Sequence, residues 1–240
     1  MNSGVRPGTP LSDATLSYAQ LNYDPRAVRR LPRPPSMLEP RIQQHFFESA
    51  DLSYQAAESM ARPIADAAQS IVECLTAGGR VWVHGRGVAQ APAQLLGAAL
   101  SGRFERERPG LAAMVLAVDA MLLSGERDGE SDSPAAQQLR VLGQAGDVLV
   151  AFALRPDDAL LAILVDGAHE REMSVIVVTG RDALSATPRP GAGGPVPIAE
   201  TDIWITVPHE RTARICELQL LALHALCDAV DLQLLGDADL

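Results

Sequence analysis

The sequence lacks lysine altogether, and arginine supplies all 20 of its basic residues. Schiff-base enzymes need a lysine amine and P-loop nucleotide-binding proteins need a lysine beside the phosphates, so both classes are excluded. Cysteine is also scarce, because the chain has only Cys74, Cys216 and Cys227 and none of them forms a CxxC pair. We therefore expect three buried free thiols, and neither a disulfide framework nor a zinc knuckle.

Long apolar runs and metal-ligand spacings are missing too. The longest apolar stretch, Leu111–Leu123, is interrupted by Asp119 and is too short to cross a bilayer, which favours a cytoplasmic protein without a membrane partner. The five histidines show no metal-ligand spacing. The sequence contains neither a Gly-x-Ser-x-Gly nucleophile elbow nor an obvious carboxylate dyad. We expect no metal and no cofactor.

What is present indicates one α/β domain preceded by a tail. The 240 residues are 47% hydrophobic and 21% charged, which is typical of a soluble globular protein. Residues 1–37 contain six prolines and no apolar periodicity, so we interpret them as a mobile tail and residues 38–240 as the domain. The tail is basic, whereas the domain carries the acidic excess behind a net charge of −10, which argues against direct binding of nucleic acid.

Short apolar runs alternate with segments of helical spacing, which predicts a parallel sheet built from βαβ crossovers. The predicted strands are Val81–Val83, Ala112–Leu116, Val148–Phe152, Val175–Val178 and Ile203–Val207. The predicted helices between them cover 90–102, 134–142 and 157–171, and a long loop is predicted over 182–200. Two separate helices are expected before the first strand, one beginning near Ile42 and the other ending at Gly78.

The last predicted helix, Arg211–Leu235, is apolar almost all round. Its polar positions Glu217, His224, Asp228 and Asp231 form one narrow stripe, so we expect it to be covered on more than one side, as at a subunit interface. A pair between His224 and Asp228, one turn apart, would give that histidine a purely structural role.

Two loops after the predicted strands are the candidate ligand sites, since open parallel sheets bind ligands beyond the carboxyl ends of their strands. The loop after the first strand contains Gly85, Arg86 and Gly87, whose glycines suit a phosphate cradle, although a tight turn explains them without a ligand. The loop after the third strand contains Arg155 and then Asp157–Asp158, which are placed to cap the next helix and put negative charge where a phosphate would lie. The two arginines are the candidate anion-binding side chains, with exposed or carboxylate-paired arginines as the alternative.

Four segments share their order and spacing with a known family: Ser101–Pro109, Gly143–Leu149, Met173–Asp182 and Val207–Glu217. On these segments the chain resembles the sugar isomerase (SIS) domain family, in particular its phosphoheptose isomerase branch and the related DnaA initiator-associating proteins. The resemblance covers residues 42–235. It implies a three-layer α/β fold with a five-stranded parallel sheet flanked by helices, a homotetramer, and a sugar-phosphate pocket between subunits.

The resemblance also marks where the pocket residues of the family have changed. The serine that binds phosphate corresponds to Ala89, and the hydroxyls of the second loop are lost from Ala153–Asp158. The glutamate base of the isomerase corresponds to Ala99 and the glutamine that helps to hold substrate to Cys216, so only the histidine acid is kept, as His224. Loss of a positioned acid or base typically lowers a rate by about 10²–10⁴.

These changes lead us to expect a noncatalytic SIS scaffold, an oligomeric regulator that binds a protein partner such as the replication initiator DnaA. One alternative is a D-sedoheptulose 7-phosphate isomerase, or another sugar-phosphate-binding protein, with an altered active site. The other is a sensor that binds a different anion through the two loop arginines. The partner surface is expected at Leu232, Leu234 and Leu235 and in the tail around Arg29–Pro35.

Overall fold

Five short strands form one parallel sheet in the computed structural model, which describes residues 37–116, 133–181, 196 and 198–237. The strands are β1 (Val81–Gly85), β2 (Ala113–Val115), β3 (Val148–Phe152), β4 (Ser174–Gly180) and β5 (Ile203–Val207). Their order across the sheet is β2-β1-β3-β4-β5, and each adjacent pair is parallel. The predicted fold class is confirmed.

Within the described residues, five α-helices accompany the sheet. They are α1 (Leu38–Thr76), α2 (Gln90–Ser101), α3 (Pro134–Leu142), α4 (Ala159–Glu170) and α5 (Thr212–Leu235), and a short 3-10 turn, Gly87–Ala89, leads from β1 into α2. The chain separates into two units, Met1–Gln43 and Gln44–Leu240, and the sheet belongs to the second. The predicted tail up to residue 36, and residues 182–195 and 197 of the predicted loop, lie outside the described residues.

Helices cover both faces of the sheet, which explains why its strands are apolar throughout. Side chains alternate along β1, so that Val81 and Val83 join the core formed with α1, α2 and α5. Trp82, between them, joins a second core formed with α3 and α4. The carboxyl ends of the strands therefore emerge at one edge between two helical layers.

Helix α1 corrects the prediction of two separate helices before the first strand. It runs unbroken from Leu38 to Thr76 and contains Pro63. Buried residues recur along it at helical spacing on both sides of the proline, including Leu52, Met60 and Ile71. Continuous packing of this stripe outweighs the one backbone hydrogen bond that a proline removes.

Helix α5 differs from its predicted polar stripe at one position. Glu217, His224 and Asp228 are exposed, but Asp231 is buried, because it forms an ion pair inside the fold. By length and composition α5 is apolar enough to span a membrane. Polar residues such as Glu217 and Asp228 interrupt its apolar sequence, so it does not stand out as a long apolar run. Ten of its residues are buried against the fold, as in the core helix of a soluble protein.

The cysteines are free, as predicted, but only two of them are buried. Burial raises the pKa of Cys74 to about 11 and that of Cys227 to about 12, so both thiols stay protonated at neutral pH. Cys216 is partly exposed in the first turns of α5, which corrects the prediction that all three thiols are buried.

Candidate functional site

The first loop, residues 84–89, connects β1 to α2 at the carboxyl edge of the sheet. A side chain on Gly85 would place its Cβ 2.1 Å from the carbonyl oxygen of Ala89, so packing alone requires glycine there. Gly87 has a φ of +59°, which favours glycine at the turn. Arg86 is exposed, and its guanidinium makes no hydrogen bond or ion pair with any described residue. No side chain caps the helical turn that follows it.

His84, the first residue of this loop, was given no functional role by the sequence analysis. It is buried, and its Nδ1 has no hydrogen-bond partner among the described residues. Burial lowers the pKa of His84 to about 4, and Arg86 lowers it further while Asp158 acts in the opposite direction. The imidazole is therefore neutral at physiological pH. A lone histidine that ends an otherwise apolar strand, before two glycines, is the signal that could have revealed it.

The second loop, residues 153–158, connects β3 to α4 and carries two internal carboxylate contacts. Asp158 Oδ1 accepts hydrogen bonds from the backbone N–H groups of Leu160 at 2.9 Å and Leu161 at 3.2 Å, as predicted for a helix cap. Asp157 does not share this role, which corrects its predicted placement as a cap. Its Oδ1 instead accepts from Arg155 Nε at 2.8 Å, and its Oδ2 accepts from Nη2 of the same arginine.

Gln219 of α5 ties the second loop to the sheet. Its Nε2 donates to the carbonyl oxygens of Ala153 at 2.7 Å and Val178 at 3.1 Å. Gln219 is fully buried, and nothing in its sequence position distinguishes it from the other polar residues of the helix. The second loop is therefore held to the sheet by Gln219, and the charge of its arginine is balanced by its own Asp157.

His224 lies on the exposed face of α5, where its ring stacks on that of Phe104. The ring centroids are 5.5 Å apart and the planes are inclined by 27°. No ion pair joins His224 to Asp228 in the part of the chain that the structure describes, so the predicted structural pair is absent. Neither ring nitrogen has a hydrogen-bond partner among those residues.

The positions of the changed family residues are also visible. Ala89 is buried at the end of the 3-10 turn, Ala99 is partly buried on α2, and Cys216 is partly exposed on α5. The backbone oxygen of Ala99 accepts a hydrogen bond of 2.9 Å from Arg108 Nη2. Position 99 therefore contributes a carbonyl to a buried network, but its side chain offers no proton acceptor.

The three leucines predicted as a partner surface do not behave alike. Leu232 and Leu235 are exposed, whereas Leu234 packs partly against the core.

A separate apolar groove of about 200 Å³ lies between α1 and α5, and small residues including Ala57 and Ala225 line it.

Comparison with known proteins identifies the family. A family model described as the SIS domain matches residues 44–180. This chain belongs to the SIS domain family, in its phosphoheptose isomerase branch. A phosphoheptose isomerase of Methylibium petroleiphilum is 48% identical over 205 residues, which cover 85% of this chain and 98% of the relative.

Solved structures of SIS proteins agree with this placement. The structure of a phosphoheptose isomerase from Neisseria gonorrhoeae has 35% sequence identity and a TM-score of 0.69, and the match covers 81% of this chain and 98% of the other. The structure of a phosphoheptose isomerase from Francisella tularensis has 32% sequence identity and a TM-score of 0.71, and the match covers 82% of this chain and 99% of the other.

These relatives correct the functional prediction. We expected a noncatalytic scaffold that regulates a replication initiator, because Ala99 and the second loop lack the family's polar groups. That expectation is wrong, since proteins bearing an enzyme's name align with nearly the whole domain at up to 48% identity. The enzyme alternative is the better supported of the two.

Proposed function

We propose that this protein is a sugar-phosphate isomerase of the phosphoheptose class, which interconverts the ketose and aldose forms of a seven-carbon sugar phosphate. The observation that carries the proposal is the 48% identity to a phosphoheptose isomerase over 85% of this chain. This aligned length exceeds the 137 residues matched by the SIS model and is long enough to include both loops and most of α5.

The reaction moves one proton between neighbouring carbons, C1 and C2, through an enediol, while a proton moves between their oxygens. One group that accepts the proton from one carbon and returns it to the other on the same face can serve both steps. Histidine is suited to this task near neutral pH. In this proposal His224 is that group, because its ring is exposed and both of its nitrogens lack partners among the described residues. The alanine at position 99 then removes an assisting carboxylate rather than the whole reaction.

The phosphate is assigned to the first loop. Arg86 supplies a guanidinium with no partner among the described residues. No side chain caps the helical turn after it, which leaves the backbone N–H groups of Gly87 and Val88 uncapped, whereas that of Ala89 donates to the carbonyl oxygen of Arg86 at 3.2 Å. The second loop is a poor alternative, because Asp158 occupies the N–H groups of α4 and Asp157 occupies Arg155.

A homotetramer is part of the proposal. Phe46, Phe47 and Tyr54 of α1 and Leu221 of α5 are large apolar side chains that lie more than half exposed in a single chain. Exposed apolar surface of this kind usually marks an interface. Light scattering at micromolar concentration is expected to give about four times the chain mass of 25.5 kDa, and a monomer mass would refute the assembly.

Steady-state kinetics with D-sedoheptulose 7-phosphate test the activity. The wild-type protein is expected to form the aldose, and His224→Gln is expected to lower kcat by about 10²–10⁴. Asp228→Asn is the matched control, since Asp228 is exposed one turn further along the same helix, and it is expected to keep kcat within about twofold. Absence of turnover in the wild type, or full activity in His224→Gln, would overturn the proposal.

A further inference from the structure

A buried arginine holds the irregular segment that follows α2. The side chain of Arg108 is 1% exposed, and its guanidinium donates to four backbone oxygens, those of Ala99, Leu100, Gly102 and Pro109, at 2.9–3.2 Å. Its Nε also donates to Asp231 Oδ1 of α5 at 2.5 Å, and the Asp231 side chain is 1% exposed as well. One side chain thus completes the carboxyl end of α2 and joins it to α5.

The segment 103–110 depends on side chains for its shape. No backbone–backbone hydrogen bond joins any of these eight residues to another described residue. Besides Arg108, the segment is attached by Phe104, which packs partly buried against the core, and by contacts with α5 and Gly236. Arg106 Nη1 donates to the carbonyl oxygen of Gly236 at 2.9 Å, in an exposed position, and Phe104 stacks on His224.

The stacked histidine lies on the same side of the α5 axis as Asp231, although His224 is exposed and Asp231 is buried. His224 and Asp231 are seven residues apart, which is two helical turns. The Arg108–Asp231 pair therefore sets where the segment meets the face that carries His224. An exposed histidine without this contact would exchange between rotamers.

We propose that Arg108 is a positioning residue for the isomerase reaction, acting through Phe104 to fix the orientation of the His224 ring. The inference rests on the proposed function for its kinetic consequence, because His224 must reach the proton that it transfers. A proton-transfer group has to lie within hydrogen-bond reach of its target, and a displacement of about 1 Å can cost roughly 10²-fold in rate. The position of the ring can be measured whether or not the protein turns over a sugar phosphate.

The experiment records the histidine ring signals by ¹H–¹³C NMR, with His224→Gln used to assign the signal of His224. Phe104→Leu is expected to abolish the ring-current shift that the phenyl ring imposes on the His224 protons. Arg108→Met and Asp231→Asn are expected to move the signal at least half of the way to its position in Phe104→Leu. Arg106→Met is the matched control, because it removes an exposed bond from the same segment, and it is expected to leave the signal in place.

Kinetics supply the second readout. Arg108→Met and Asp231→Asn are expected to lower kcat about tenfold or more with KM changed less than about twofold, and Arg106→Met to change neither. If Arg108→Met does not fold, the isosteric Asp231→Asn variant alone tests whether the Arg108–Asp231 pair positions His224. A folded Asp231→Asn protein with the wild-type His224 signal would overturn the positioning role, whereas a wild type without turnover would overturn only the proposed function.

Discussion

The two loops at the carboxyl edge occupy equivalent places in the fold but differ in which of their N–H groups and arginines are already paired. Each follows a central strand, contains an arginine and opens a helix. In the first loop Arg86 has no partner among the described residues and no side chain caps the turn. In the second loop Asp157 binds Arg155, and Asp158 accepts from the N–H groups of α4. A helix N-terminus attracts an anion only while its N–H groups are free.

Burial lowers the pKa of His84, and a charged residue of each loop also acts on it, because Asp158 raises that pKa and Arg86 lowers it. Substitution of His84 is expected to have the largest effect, which is on the pH dependence of stability. Its pKa is about 4 in the folded protein against an ordinary value of 6.5. Between these pH values the unfolded chain binds more protons, so the free energy of unfolding falls as pH falls from about 6.5 to about 4. The loss attributable to His84 approaches about 3 kcal/mol, since one pKa unit corresponds to about 1.4 kcal/mol.

Urea unfolding of wild type and His84→Gln between pH 7 and pH 4 measures this effect. The wild type is expected to lose more stability than the variant over that range, because carboxylates titrate in both proteins and cancel in the comparison. Parallel stability curves would show that His84 is not held neutral by burial.

The next largest effect concerns the two arginines. Arg86→Gln is expected to raise KM for the sugar phosphate about 10- to 100-fold, since a hydrogen bond to a charged group contributes about 1.5–3 kcal/mol. Arg155→Gln serves as the matched control and is expected to change KM less than about threefold, because Asp157 already pairs with that guanidinium. Equal effects of the two substitutions would place the phosphate between both loops rather than at the first.

The smallest effect separates the two roles of Asp158. Asp158→Ala is expected to lower the free energy of unfolding by about 1 kcal/mol, because it removes the cap of α4. Asp158→Ser keeps a capping oxygen and is expected to lower it by only a few tenths of a kcal/mol. Both variants remove the same negative charge, so both are expected to lower KM by up to roughly fivefold. Urea unfolding and kinetics on the same samples give the two quantities. Equal stability of the alanine and serine variants would contradict the role of Asp158 as the cap of α4.

The elements that sequence reasoning placed correctly have a local signature. Strand β3 is an unbroken apolar run, predicted and observed over Val148–Phe152, and Pro134 at the first position of α3 marks its start. Helix α1 was predicted as two helices because two separate apolar stretches were recognised in its sequence, whereas its continuous packing across Pro63 is a property of the whole fold. Asp158 was predicted as a cap because capping acts within three residues.

The candidate site was harder to predict because its contacts join distant parts of the chain. Arg108 and Asp231 are 123 residues apart, and no periodicity connects them. His84 was missed because its burial depends on helices that pack against the sheet only in the folded protein. The function was misjudged for a different reason, since each lost polar residue was counted as the loss of a step, although one histidine can both accept and return a proton.

The claim that His224 transfers a proton between neighbouring carbons is tested most directly in heavy water. Wild type, His224→Gln and Asp228→Asn are incubated with D-sedoheptulose 7-phosphate in D₂O, and the sugar is analysed by NMR for aldose and for deuterium at C1 and C2. Our account predicts aldose formation with deuterium incorporation by the wild type and by Asp228→Asn, and neither above background with His224→Gln. Absence of both products with the wild type, or their formation by His224→Gln at the wild-type rate, would contradict it.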